Sequence, residues 1–155
     1  NVKLITVKTA DEMLVQTNKY NKKIDVAVFC AAIADFKVKK ISNKKIKKDT
    51  LTTLKLIKNI DILKKISTQK INRPKFVVGF SAETGSKILA RKKLEEKNCN
   101  MIIYNKINKK NKVFGLDENK ISILTKNKIV NYSKFSKLKC ANLIVDSIYK
   151  EIKNK

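Results

Sequence analysis

Ile24-Asp25-Val26-Ala27-Val28-Phe29-Cys30, running on into Ala31-Ala32-Ile33-Ala34-Asp35-Phe36, is the passage on which the fold turns. Its first part is a β-branched run, apolar on both faces, as expected of a central strand in a parallel sheet covered on both sides. Small residues and a single carboxylate, Asp35, follow. Ten residues later comes Lys45-Ile46-Lys47-Lys48. A buried strand ending in small residues, then one carboxylate, then a knot of ammonium groups suits a phosphate-rich nucleotide held at a strand's carboxyl end.

Strand and helix signals alternate on either side of this run. Upstream, Val2–Val7 reads as a strand. Thr9-Ala10-Asp11-Glu12 matches the S/T-x-x-E capping box, opening a helix through Met13, Leu14, Thr17 and Tyr20. Downstream, residues 37–50 carry almost no apolar period and read as a mobile loop. Thr52–Ile57 alternates like a strand, and Asn59-Ile60-Asp61 can start a helix through Ile62, Leu63 and Ile66. Phe76–Phe80 is a further apolar strand. Ser81–Gly85 reads as a polar turn into a helix with an Ile88, Leu89 and Leu94 face. Met101–Tyr104 is another strand, and Lys120–Leu124 with Lys128–Tyr132 predicts a hairpin around Lys126-Asn127. The last helix carries Leu138, Ala141, Leu143, Ile144, Val145, Ile148 and Ile152.

This order predicts an α/β fold: one domain over 1–155, with a Rossmann-like, mostly parallel sheet, helices on both faces and a C-terminal β-hairpin. Ligands in such sheets bind beyond the carboxyl ends of the strands, which selects Cys30–Phe36, Phe80–Thr84 and Tyr104-Asn105.

The 155 residues, 43% of them hydrophobic, suffice for a real core. No apolar run approaches a membrane span, and no leader pattern opens the chain. Cys30, Cys99 and Cys140 have no C-x-x-C spacing, and there is no histidine. These features weigh against structural zinc and histidine acid–base chemistry, and favour a reduced, cytoplasmic setting. The net charge of +24 invites a nucleic-acid-binding reading. Against it, the charge is almost all lysine, only Arg73 and Arg91 are arginines, and the lysines are scattered as a Lys/Asn/Ile-rich codon bias would scatter them. With only Gly79, Gly85 and Gly115, the chain builds neither a dinucleotide loop nor a P-loop, which disfavours a Rossmann oxidoreductase.

Taken singly, the candidates stay open. Asp35 can hold Mg²⁺ or a ligand donor, or simply cap a turn. Lys45, Lys47 and Lys48 can neutralise a triphosphate or be solvated loop residues. Glu83 and Thr84 read best as a helix cap, and Cys30 as a small core residue.

Several segments in order resemble the phosphopantothenate–cysteine ligase family, the synthetase domain of the bifunctional coenzyme A biosynthesis proteins. They are Val7–Met13, Ala31–Phe36, Lys45–Lys48, Lys58–Leu63, Gly79–Thr84, Ala90–Leu94, Asn105, and Phe114-Gly115 with Asn119. The resemblance spans residue 1 to about 150. It implies that CTP activates the carboxylate of 4′-phosphopantothenate as an acyl-cytidylate, and that the amine of L-cysteine displaces CMP, with Mg²⁺ or Mn²⁺ and as a homodimer. It further implies that Phe29, Cys30 and Ala31 meet the nucleotide, that Asp35 contacts it or its metal, and that Lys45 is the catalytic flap lysine. Ile60, Asp61, Ile62, Leu63 and Phe80 would line the nucleotide pocket, and Lys93 and Lys97 would reach phosphates. Two departures stand out. Ile60 replaces a usual proline, and the family's glycine-rich first strand–loop–helix does not precede the matched segments. The chain is therefore expected to be the C-terminal two-thirds of such a domain.

Overall fold

The computed structural model describes residues 2–22, 24–47, 53–107 and 116–154. Lys48 and Phe114-Gly115 lie outside them. In chain order the elements are α1 (Ala10–Asn21), β1 (Val26–Phe29), β2 (Phe36–Val38), β3 (Leu56–Lys58), α2 (Ile62–Ser67), β4 (Phe76–Glu83), α3 (Lys87–Glu96), β5 (Met101–Lys106), β6 (Glu118–Thr125), β7 (Ile129–Ser136) and α4 (Lys137–Lys153).

The main sheet has the order β1-β4-β5-β6-β7. β1, β4 and β5 are parallel, and the β6–β7 hairpin joins antiparallel to β5. Four of the five strands therefore point one way. Alternation along the strands divides the core in two. Phe76, Val78, Met101, Ile103, Ile121 and Ile123 meet Cys140, Ile144 and Ile148 of α4 on one face. Ile102, Tyr104 and Leu124 meet Ala90 and Leu94 of α3 on the other. α2 joins the α3 side: a Cβ at Gly79 would lie 2.6 Å from Leu63 Cδ2 and 2.9 Å from Ile102 Cδ1. The missing side chain leaves the room that the tips of Leu63 and Ile102 fill.

Local chemistry sets the helix starts. Thr9 Oγ1 accepts from Glu12 N at 3.1 Å, while the Glu12 carboxylate accepts from Lys8 N, one residue outside the usual box. Asp61 caps α2 by accepting from Lys64 N at 2.9 Å. At the amino ends of the strands Arg73 donates to the carbonyls of Ser67, Pro74 and Asn98 and to Asn100 Oδ1. Arg91 donates to the carbonyls of Thr125 and Lys126, pinning α3 to the hairpin turn. Both arginines thus bind backbone.

Several sequence expectations need correction. Val2–Val7 forms no strand; Val2 is 98% exposed and no described strand pairs with the outer edge of β1. β1 is therefore parallel but at the edge, not central. The loop over 37–50 begins inside a strand: β2 pairs antiparallel with β3, which itself starts only at Leu56. β4 runs on through the expected turn to Glu83, because β5 matches it residue for residue up to Glu83↔Lys106. On α3, Ile88 is 76% exposed and Ala90 and Leu94 take the buried face. Leu138 and Val145 of α4 likewise face outward.

Candidate functional site

The carboxyl end of β1 is where the site begins, because the chain leaves the sheet there through residues too small to close over it. Residues 30–35 stay near the strand ends, held by Asn59. Its Nδ2 donates to Ala34 O at 3.0 Å, and its backbone N donates to Asp35 O at 2.7 Å. Asn59 Oδ1 then accepts from Ile60 N at 2.9 Å. That N–H is one a proline would lack, so the departure at Ile60 carries its own local bond. The clamp sets the 59–61 turn, and the Asp61 cap aims α2, beside the end of β1.

The result is one cleft of about 640 Å³. Phe29, Cys30, Ala31, Asp35, Ile60, Asp61, Ile62, Leu63, Phe80, Lys93 and Lys97 all line it. Of the twelve residues that the resemblance assigns to the site, only Lys45 does not. It is exposed, in the chain between β2 and β3. Cys30 is also exposed, against the expectation of a core residue: beyond Phe29 there is no further strand residue to cover it.

Two ammonium groups on the α3 side are held by carboxylates. Lys93 Nζ donates to Glu83 Oε1, and Lys97 Nζ lies 3.1 Å from Asp61 Oδ2. Ser81 Oγ also donates to Glu83 Oε1, at 3.2 Å. The bond from Lys93 holds the Glu83 carboxyl below its ordinary value. Glu83 is thus a strand-end residue binding a lysine, not a helix cap; α3 is capped at Ser86, without a side-chain bond. Asp35 differs from both carboxylates. Its side chain has no hydrogen bond or ion pair among the described residues, and it is exposed at the cleft.

The opposite wall was not assembled from the sequence. Asn105 of β5, Asn119 of β6, and Lys137, Cys140, Ala141 and Ile144 of α4 complete the cleft. Asn105 was placed at a strand end by the topology rule. Asn119 and Lys137 reach the cleft only because the hairpin returns the chain and lays α4 across the sheet, which no local pattern signals. The side-chain oxygens of Asn105 and Asn119 are buried without a partner among the described residues.

No described helix is long and apolar enough to cross a membrane, and no cluster of three or more Cys, Asp or Glu able to hold a metal occurs among the described residues.

Residues 1–152 match the family described as "DNA/pantothenate metabolism flavoprotein C-terminal domain". The chain is 37% identical over 152 residues to the coenzyme A biosynthesis bifunctional protein CoaBC of Borreliella burgdorferi, covering 96% of this chain and 38% of that protein. It is 38% identical over 150 residues to the protein of the same name from Haemophilus influenzae, covering 96% of this chain and 37% of the relative. It thus spans less than half the length of these relatives. Among solved structures, the C-terminal domain of a coenzyme A biosynthesis bifunctional protein CoaBC superposes with a TM-score of 0.77 at 25% identity, over 97% of this chain and 66% of that one. A DNA/pantothenate metabolism flavoprotein from Streptococcus pneumoniae, at 16% identity and a TM-score of 0.69, shares the fold.

Proposed function

We propose a function from one premise: this chain belongs to the DNA/pantothenate metabolism flavoprotein C-terminal domain family. Its function is in coenzyme A biosynthesis, in the cytoplasm, as the ligase that joins 4′-phosphopantothenate to L-cysteine at the expense of CTP. The observation that carries this reading is the cleft. Eleven residues from separate stretches of chain, each assigned to nucleotide binding by resemblance, surround one volume at the strand ends.

The chemistry is asked of cations and positioning. A carboxylate oxygen of phosphopantothenate attacks the α-phosphorus of CTP, and the P–O bond to pyrophosphate breaks. The cysteine amine then attacks the acyl carbon. A C–N bond forms, the C–O bond breaks with its electron pair leaving on CMP, and the amine proton passes to solvent. Lys93 and Lys97 stand where phosphate oxygens can take over the bonds now made to Glu83 and Asp61. Lys45 acts on the acyl intermediate from the segment beyond β2. A Mg²⁺ or Mn²⁺ ion would neutralise phosphate charge as the leaving group departs. The free Asp35 carboxylate fits such an ion, since Mg²⁺ is commonly held by one or two carboxylates together with substrate phosphates.

A homodimer completes the proposal. The β2–β3 pair leaves Phe36 55% exposed, with Val38, Leu56 and Ile57 also exposed. An isolated two-stranded sheet is marginal in water, and a second copy would cover these side chains.

Calorimetric titration with Mg·CTP tests the reading, followed by an assay of cysteine-dependent CMP release in the chain extended by a relative's glycine-rich segment. Saturable CTP binding weakened by Lys93→Gln is the expected result. No binding at millimolar CTP would sink the proposal.

A further inference from the structure

The charge of the cleft differs from that of the chain around it. Basic residues outnumber acidic ones 37 to 13 in the chain. Yet the charged residues lining the cleft are Lys93, Lys97 and Lys137 against Asp35 and Asp61, and one more carboxylate, Glu83, binds Lys93. Among the described residues, three ammonium groups therefore meet three carboxylates. Asp35 and Asp61 line the cleft themselves, whereas Glu83 does not. Alternation along β4 puts Phe80 and Ala82, which line the cleft, on one face, and Ser81 and Glu83 on the other, toward α3. Glu83 thus holds Lys93 from behind, and a ligand in the cleft would meet only the lysine. The carboxylate is itself held. Ser81 is 2% exposed, and its Oγ donates at 3.2 Å to the same Glu83 Oε1 that accepts from Lys93. The Lys92–Glu96 pair on the same helix, at 3.6 Å, is by contrast a solvent-exposed one.

We propose that Glu83 is a positioning residue that governs the release of a polyphosphate: it competes with bound phosphate for Lys93 and takes the ammonium back as the phosphate departs. An ammonium has three N–H groups, so Lys93 can reach a phosphate oxygen while still bound to Glu83. With the carboxylate in place, the ligand meets a lysine whose charge is largely cancelled, and binds less tightly than it would to a bare ammonium. Affinity forgone at Lys93 shortens the stay of a product that must leave before the site can turn over. The identification of that product as the pyrophosphate of CTP rests on the proposed ligase reading; the control of Lys93 by Glu83 does not.

The test is a calorimetric titration of the chain with magnesium pyrophosphate, and separately with Mg·CTP. Glu83→Gln should tighten pyrophosphate roughly five- to tenfold, the scale of one nearby charge at a part-buried site. Glu96→Gln, which removes the exposed charge on the same helix, should change it less than about twofold. In a Lys93→Gln background the effect of Glu83→Gln should also fall below about twofold, since the carboxylate acts through that lysine. A pair that only fastens α3 to β4 would instead lower Tm on substitution and leave pyrophosphate affinity unchanged or weakened. Either of those affinities in a folded Glu83→Gln protein overturns the proposal. Ser81→Ala keeps the charge but lets the carboxylate turn away, so it should tighten pyrophosphate by a smaller factor. It decides the matter if Glu83→Gln does not fold, and unchanged affinity then overturns the proposal. No pyrophosphate binding by either protein at millimolar concentration overturns it equally. Mg·CTP binding with pyrophosphate affinity indifferent to Glu83→Gln defeats the proposal and leaves the ligase reading standing. Tightened pyrophosphate with no CTP binding defeats the ligase reading and leaves Glu83 in control of a general polyphosphate site.

Discussion

Cys30 and Cys99 show how far environment separates identical side chains. Burial pushes the Cys99 thiol up to about 11 and raises that of Cys140, whereas Cys30 is exposed in the cleft. Iodoacetamide at pH 8 should therefore modify Cys30 well before the other two, and Mg·CTP should slow that reaction. Peptide mapping by mass spectrometry reads both, and labelling of Cys30 indifferent to CTP would place the nucleotide elsewhere. Gly79 is a second single-residue test. Its missing Cβ admits Leu63, so in Gly79→Ala the Leu63 and Ile102 side chains must shift to make room. The expected cost is about 1–3 kcal/mol of overpacking, read as a lowered denaturation midpoint, together with weaker CTP binding because α2 carries Ile62 and Leu63 of the cleft. Lys45→Gln should lower turnover in the ligation assay and leave Tm in place; unchanged turnover would remove Lys45 from the mechanism.

At the scale of elements, α3 is tied to β4 through the bond from Lys93 to Glu83, and the pH dependence of that tie has a definite sign. Glu83 is held below its ordinary value of 4.5 in the fold. Its contribution is therefore fully present above that value and is lost as pH falls through the lower, folded value. Glu83→Gln should shallow the acid limb of a stability–pH curve and change little near neutrality relative to a Lys93→Gln, Glu83→Gln double variant; an unchanged acid limb would show that the pair contributes nothing. The same element marks where sequence reading stops. The start of α1 was legible because the Thr9 hydroxyl and the Glu12 carboxylate act within one turn, and that of α2 because Asp61 does the same. The face of α3 was not. Ile88 and Leu89 have the right spacing, but which stripe is buried depends on where the helix lies across the sheet, and that position is set by Ile102, Tyr104 and Leu124 of other strands. The edge position of β1 was hidden for the same reason: an apolar run reports that a strand can be covered, not how many neighbours cover it.

For the whole molecule, a formal +24 charge sets long-range behaviour without setting function. Arg73 and Arg91 are both engaged with backbone, so binding to duplex DNA should be lysine-driven, weak near physiological salt and steeply salt-dependent; tight binding at that salt, measured by fluorescence anisotropy, would favour a nucleic-acid role instead. The near wall of the cleft was legible as three strand ends, because parallel topology sends them to one edge. The far wall was not, since Asn119 and Lys137 arrive there only after the hairpin has reversed the chain. That division has a consequence for cooperativity. Phe29–Asp35 and Lys137–Ile144 are about 100 residues apart in the chain, and a ligand touching both closes a long loop as a cross-link would. Without ligand, the outer end of α4 and the β1 edge should exchange their amide hydrogens through separate openings. With the cleft filled, those two populations of amides should merge into one slow class, so that a molecule of a few hundred daltons governs which parts of the protein unfold together.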